Sequence, residues 1–360
     1  MEELFLKTKP DVDRAMQRLH AWLNHEILDR VPVQFHRQDM TNKIDKSISK
    51  WDSLKARWFD SEYQINKFID SIQNREFLAE SFPVFWPNLG PDVYAAFYGI
   101  ELEYADETSY AIHTNEPIPG LIDTLRFSTE NSYFKKLEEM TELALGMSED
   151  SYFVGYSDFH PGFDTVAAWR NPETVCLDIL LDPEGVKQLL KKSTDDFQFV
   201  FDHFHHLLSK HNQPSVNWME VPVSGKFHVP SCDFAALISQ EDFNEFYLPL
   251  LQEEVKKMDY NVFHLDGRGV AKNIDVLLSI PEINAIQWVQ DVGNDQAIEQ
   301  WKPLIKKIQA AGKSVQVFLQ PDELTGFMWD MKPEGIMLTI PSSGHDEEIA
   351  MLQQISKWIK

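Results

Sequence analysis

What most limits the fold of this chain is the alternation, along nearly all of its length, of short apolar β-rich runs with longer amphipathic helical stretches. Candidate strands cover 32–36, 82–86, 151–159, either 215–223 or 227–237, then 261–266, 284–289, 314–319 and 335–340. Helical patterns such as 241–258 and 297–311 stand between them. Short apolar strands can be covered on both faces only when helices pack over the sheet, so the alternation predicts successive βαβ units and a parallel sheet. Counting the ambiguous pair once gives about eight strands, the number that closes an α/β (β/α)8 barrel of roughly 250 residues. The remaining length of the 360-residue chain fits a helical prefix over 1–28 and an insertion within 36–150. Within that insertion, 101–104 and 109–113 alternate as a small hairpin with further helices over the barrel mouth. With no repeat or clear linker, residues 1–360 read as one elaborated barrel domain.

Charge and cysteine content exclude several classes. There are 33 Lys and Arg against 57 Asp and Glu, a net charge of −24, which repels phosphate backbones and anionic lipid surfaces. Nucleic acid and membranes are therefore not expected partners. Two cysteines, Cys176 and Cys232, cannot build a disulfide framework or a site of three or four thiolates. The start, "MEELFLKTKPDVDRAM", has no signal-peptide pattern, and no run reaches the ~18 apolar residues that would span a bilayer. A soluble cytoplasmic protein is expected.

In a (β/α)8 barrel, chemistry gathers at the carboxyl ends of the strands. His264 and Asp266 in "NVFHLDGRG" lie at such an end, two residues apart and so on one face. Other strand ends carry Asp158 and His160 ("YSDFHPGFD"), Cys232 and Asp233 ("VPSCDF"), Trp288 and Gln290 ("IQWVQD"), Gln320, and Ser342 to His345 ("IPSSGH"). Arg37 and Gln38 follow the first strand. Any one of these alone reads as a loop residue or helix cap; their recurrence at strand ends points to a site. "GRGVAK" after a strand lacks the third glycine of a dinucleotide fingerprint, which argues against a nicotinamide site. His203, His205 and His206 have no ligand companions at suitable spacing and read as residues of an outer helix.

Several segments resemble the uroporphyrinogen decarboxylase superfamily: "WLNHEILDRVPVQFHRQ", "WPNLGPDVYAAFYG", "SDFHPGFDTVAAWR", "HVPSCDFAALISQEDFNEFYLPLLQEEV" and "FHLDGRGVAKNIDVLLSIPEINAIQWV". That superfamily holds decarboxylases and barrel methyltransferases that move methyl groups between corrinoid proteins and thiols or pterins. The resemblance is strongest to a decarboxylase-like branch with a His-Leu-Asp-Gly sequence, and it implies a single barrel with its cleft at the strand ends. Decarboxylases carry two arginines after the first strand that grip a polyanionic tetrapyrrole. Here Arg37 and Gln38 match, the second arginine is missing, and Asp39 would meet the substrate instead. That repulsion, with the net charge, disfavours uroporphyrinogen.

The methyltransferases hold zinc through His-x-Cys-Gly and a later Ser-Gly-Cys. The matching positions here are His264-Leu265-Asp266-Gly267 and Ser343-Gly344-His345. The resemblance thus implies a zinc site of His264, Asp266 and His345, with Cys232 as a further ligand. It gives proton-handling roles to His264, Asp266, Asp158 and His160, and substrate contacts to Arg37, Gln38, Arg268, Trp288, Gln290 and Gln320. The leading expectation is a one-carbon (methyl) transferase acting on a small-molecule substrate. Its donor would be a methylated corrinoid protein or a small methoxy or methylamine compound. The alternatives are a cofactor-free decarboxylase and a non-catalytic small-molecule-binding barrel.

Overall fold

The computed structural model describes residues 4–37, 50–290 and 297–358. Six strands form one parallel, curled sheet in the order β1 (Val33–Arg37), β10 (Ile336–Ser342), β9 (Ser314–Phe318), β8 (Ala285–Val289), β7 (Tyr260–Asp266) and β6 (Phe227–His228). β2 (Val84–Phe85) and β5 (Phe153–Val154) form a separate parallel pair. β3 (Leu102–Tyr104) and β4 (Ser109–Ala111) make the antiparallel hairpin expected within the insertion. The closed eight-stranded barrel expected from the strand count is thus corrected to an α/β half-barrel of six strands beside a two-stranded pair.

Side chains explain why the ladder stops at β1. The edge amides of Val33 and Phe35 donate to Glu80 Oε2 and Ser81 Oγ, both at 2.8 Å, so no neighbouring strand carbonyl is needed to satisfy them. Pro83, just before β2, has no N–H to offer. On the other side, the segment after Gln213 separates β5 from β6. Val154 N donates to Gln213 Oε1, and Tyr156 N to the Val216 carbonyl. Of the two alternatives for the fourth strand, the sheet takes Phe227–His228, while Ser215 and Val223 meet only in an isolated antiparallel bridge. In a Ser81→Ala protein the buried Phe35 N–H loses its acceptor. Stability is expected to fall by about 1–3 kcal/mol, read from a shifted urea midpoint with an unchanged slope.

The helical prefix is the helix Val12–Leu23, whose apolar face (Val12, Ala15, Met16, Leu19, Trp22, Leu23) is buried. It closes the amino-terminal ends of the strands. Trp22 Nε1 donates to the Gly335 carbonyl at 3.1 Å, and the Ser314 hydroxyl donates to the Trp22 carbonyl. Val84, Phe153, Val216, Phe227, Val262, Ala285 and Met337 pack against it as an apolar floor. One layer nearer the carboxyl ends the filling becomes polar. His264, Gln287 and Gln316 are in register, and Gln316 Nε2 donates to Thr339 Oγ1 (2.9 Å) and Gln34 Oε1 (3.3 Å). Gln34 Nε2 continues the belt to the Met219 carbonyl at 3.0 Å.

No helix among the described residues is long and apolar enough to cross a membrane. His203 bonds Glu138 and His205 bonds Ser215, on the outer helix Phe197–Lys210.

Candidate active site

β7 has apolar Val262 in the floor, His264 in the amide belt and Asp266 at its end, all on one face because side chains alternate along a strand. The chain then turns at Gly267 (φ 71°), a left-handed conformation that suits glycine, into the short helix Gly267–Ala271. Gly269 lets that helix touch the turn Asp233–Leu237: a Cβ at Gly269 would stand 2.7 Å from Ala236 Cβ. The close approach brings Asp233 to the end of β7. Ligand atoms of Asp233, His264 and Asp266 lie within 4.8 Å of one another.

Neighbours fix the geometry of this group. His264 Nδ1 donates to Gln287 Oε1 at 2.6 Å, so Nε2 is the ring nitrogen turned towards the other two ligand side chains. Trp218 stands perpendicular to the imidazole, with ring centres 5.2 Å apart. Asp164, in the first turn of the helix Phe163–Arg170, accepts from the amides of Asp233 (3.1 Å) and Phe234 (2.9 Å) and so holds the turn in place. Burial and the adjacent Asp233 charge push the Asp164 carboxyl up to about 6, although the two amides oppose the shift.

These groups open onto a cleft of about 740 Å³, lined among others by Trp86, Asp92, His113, Asp158, His160, Asp164, Trp218, Asp233, Phe234 and His264. No lysine or arginine among the described residues lines it. Asp92 and His113 stand on one wall: Asp92 Oδ2 accepts from Ala111 N of the β3–β4 hairpin at 3.0 Å, and His113 Nδ1 donates to the Ala168 carbonyl at 2.9 Å. His160 Nε2 lies 3.9 Å from Asp158 Oδ2, an ion-pair distance rather than a hydrogen bond. Burial pulls the imidazole pKa down, but Asp158, Asp164 and Asp233 outweigh it and push the value up to about 9. His160 is therefore an imidazolium at neutral pH. Asp158 Oδ1, His160 Nδ1 and Trp86 Nε1 are buried with no protein partner among the described residues.

Of the residues singled out from the sequence, Asp158, His160 and His264 line the cleft, and Asp266 joins His264 in the cluster with Asp233. The other described residues given a role from the sequence are not among those that line the cleft. Trp288 is fully buried on the outer face of β8, 4.6 Å from the Trp301 ring, so it packs the sheet against a helix and cannot touch a substrate. His345 starts the helix His345–Ile355, half-exposed and 3.7 Å from Glu76, and does not join the cluster. Cys232 is fully buried and does not join the cluster; burial together with Asp164 pushes its thiol pKa well above the ordinary value. Arg37 is held by Glu348 through two bonds of 2.7 Å. Arg268 is stacked over Trp301. Gln290 Nε2 donates to the Phe318 carbonyl, and Gln320 begins a turn closed by Glu323. Gln38 lies outside the described residues.

A second cleft of about 670 Å³ adjoins the first across Trp86 and is lined by Arg57, Lys67, Arg75 and Glu220 among others. Glu220 has a left-handed backbone (φ 55°), and burial pushes its carboxyl from 4.5 up to about 7, against the pull of Arg75. The folded state therefore binds this proton more tightly than the unfolded chain does. The associated stability is complete below pH 4.5 and is lost as pH rises through about 7. Glu220→Gln is expected to be more stable than the natural protein by about 1–3 kcal/mol at pH 8, with the difference shrinking towards pH 4.5 in parallel urea melts.

No protein-family model matches the chain, and no curated protein is significantly similar to it. Among solved structures, the fold is similar to that of a methyltransferase from Methanosarcina mazei. The TM-score is 0.59 at 12% identity, over 98% of this chain and 98% of that one. At that identity the likeness is one of fold.

Proposed function

We propose that this chain, as a single functional unit, is a methyltransferase that works in the acidic cleft, with Asp233, His264 and Asp266 holding a divalent metal ion. The observation that carries the reading is the convergence of those three side chains within 4.8 Å at one strand end. Two carboxylates and an imidazole whose Nδ1 is already committed to Gln287 are a donor set for a borderline or hard ion such as zinc or manganese. The fold shared with a methyltransferase supports the reaction class by analogy.

The ion, when bound, would lower the pKa of a thiol and so supply the nucleophile. The chain's own groups do the rest. His160, charged at neutral pH beside Asp158, is placed to donate a proton, but not to act as a base. Asp164 positions Asp233 through the two backbone amides. Trp218 limits where His264 can turn. The absence of lysine and arginine from the described lining disfavours a polycarboxylate, and with it the decarboxylase reading.

The test is calorimetric titration of metal-free protein with zinc and with manganese, followed by mass spectrometry for a thioether after incubation with a small thiol and a panel of methyl donors. Saturable binding at one site and thioether formation are expected. Protein that binds neither ion and methylates no thiol rejects the proposal.

A further inference from the structure

We infer that the methyl donor is a methylated ammonium cation, recognised by the aromatic and acidic walls of the cleft; this rests on the methyl-transfer reading above. Trp86, Trp218 and Phe234 line the same cavity as Asp92, Asp158, Asp164 and Asp233, with no lysine or arginine among the described lining residues. That combination suits one kind of ligand. A quaternary ammonium spreads its charge over methyl groups that cannot donate ordinary hydrogen bonds, so it is bound by ring faces and nearby carboxylates. A neutral methoxy compound would leave the carboxylates answered only by the His160 imidazolium.

Not all of the negative charge is answered from within the protein. Asp233 belongs to the metal cluster, and Asp164 is occupied by two amides. Asp158 faces the His160 imidazolium through Oδ2 at 3.9 Å, while its Oδ1 is buried with no hydrogen-bond partner among the described residues. Asp92 receives one amide at 3.0 Å through Oδ2. Asp92 and Asp158 against the single His160 imidazolium leave negative charge facing an aromatic cavity, and a diffuse cation answers it. Trp218 adds position: its ring stands against His264, so a methylammonium lying on that side of the cavity is next to the metal cluster where the acceptor thiol would sit.

The transfer balances without an oxidant or reductant. The thiol sulfur forms the C–S bond, the C–N bond breaks, and its electron pair goes to nitrogen. The proton lost by the thiol ends on the amine, so a thiol and a quaternary ammonium become a thioether and a tertiary ammonium.

Calorimetry on the full-length, zinc-loaded protein decides the matter with choline and its neutral isostere, neopentyl carbinol, in which carbon replaces nitrogen. Choline is expected to bind saturably and the isostere about tenfold more weakly or not at all. Trp86→Leu and Asp92→Asn, each shown to be folded by circular dichroism, should each weaken choline binding by about tenfold. Equal binding of the isostere, no choline binding, or unchanged binding in both variants overturns the inference. Thioether formed from a neutral methoxy donor, without choline binding, overturns the cation assignment and keeps methyl transfer. Choline binding with no thioether from any donor overturns methyl transfer, and the donor role with it.

Discussion

In a His264→Ala protein, divalent-metal affinity is expected to fall by at least about 100-fold and thioether formation by a comparable factor, while the protein remains folded. The imidazole is one of three donors in the cluster and is oriented by Gln287 inside the strand layer. Its removal also leaves Gln287 Oε1 without its donor. A stability loss of about 1–3 kcal/mol should accompany the loss of metal, too little to unfold a chain with so extensive a core. Gln287→Ala separates the two effects, because it keeps the ligand and removes only the tether. Metal affinity should then drop about 10-fold to 100-fold. Titration calorimetry and thermal melting on both variants provide the check. If His264→Ala unfolds, and the natural protein takes up no metal under any loading, the residue serves packing alone.

The largest expected loss of stability lies far from the site. Glu80 is fully buried, and its carboxylate collects Arg30 through two bonds (2.7 and 2.8 Å), Arg18 (3.2 Å) and the amide of Val33 (2.8 Å). Glu80→Ala leaves the buried guanidinium of Arg30 uncompensated and the β1 edge amide unsatisfied. A loss of about 3–5 kcal/mol is expected, because breaking one side of a buried pair exposes the full desolvation cost of the other. Guanidinium melts should show it directly. A loss below ~1 kcal/mol would mean that water reaches Arg30 and that the network is not sealed.

The sequence made the sheet legible where strands are long and unbroken. The runs at 261–266, 284–289, 314–319 and 335–340 correspond to β7 (Tyr260–Asp266) through β10 (Ile336–Ser342) within about two residues, because each is mostly apolar apart from the inward polar layer and is bounded by turn residues. It misled where strands shrink to two residues. Apolar runs around Val84 and Phe153 carry the same composition, but side-chain acceptors such as Ser81 and Gln213 take the backbone donors there, and composition does not reveal that. At the site, the strand-end rule located Asp158, His160, His264 and Asp266. It did not single out Asp92, His113 or Asp164, which come from two helix starts and the segment after a hairpin, whose reach over the cleft is tertiary. Trp288 was misassigned by one step of alternation: Gln287 faces inward and its neighbour outward. A signal for the inward layer was present in "PVQF", "AIQW" and "SVQV", where glutamine recurs at matching depth in three strands.

That glutamine layer has a consequence for remodelling the protein. The apolar plug beneath it, from Trp22 to Met337, and the loops above it share few side chains. The amides between them act as a shelf of fixed height, on which the depth of any bound molecule is set. New substrates are therefore best sought by exchanging loop residues such as Phe234 and Leu237 above the shelf. Enlarging the cavity downwards would require cutting Gln34 and Gln316, which are bonded to each other, or Gln287, which is bonded to His264, and each cut leaves a buried polar atom without its partner.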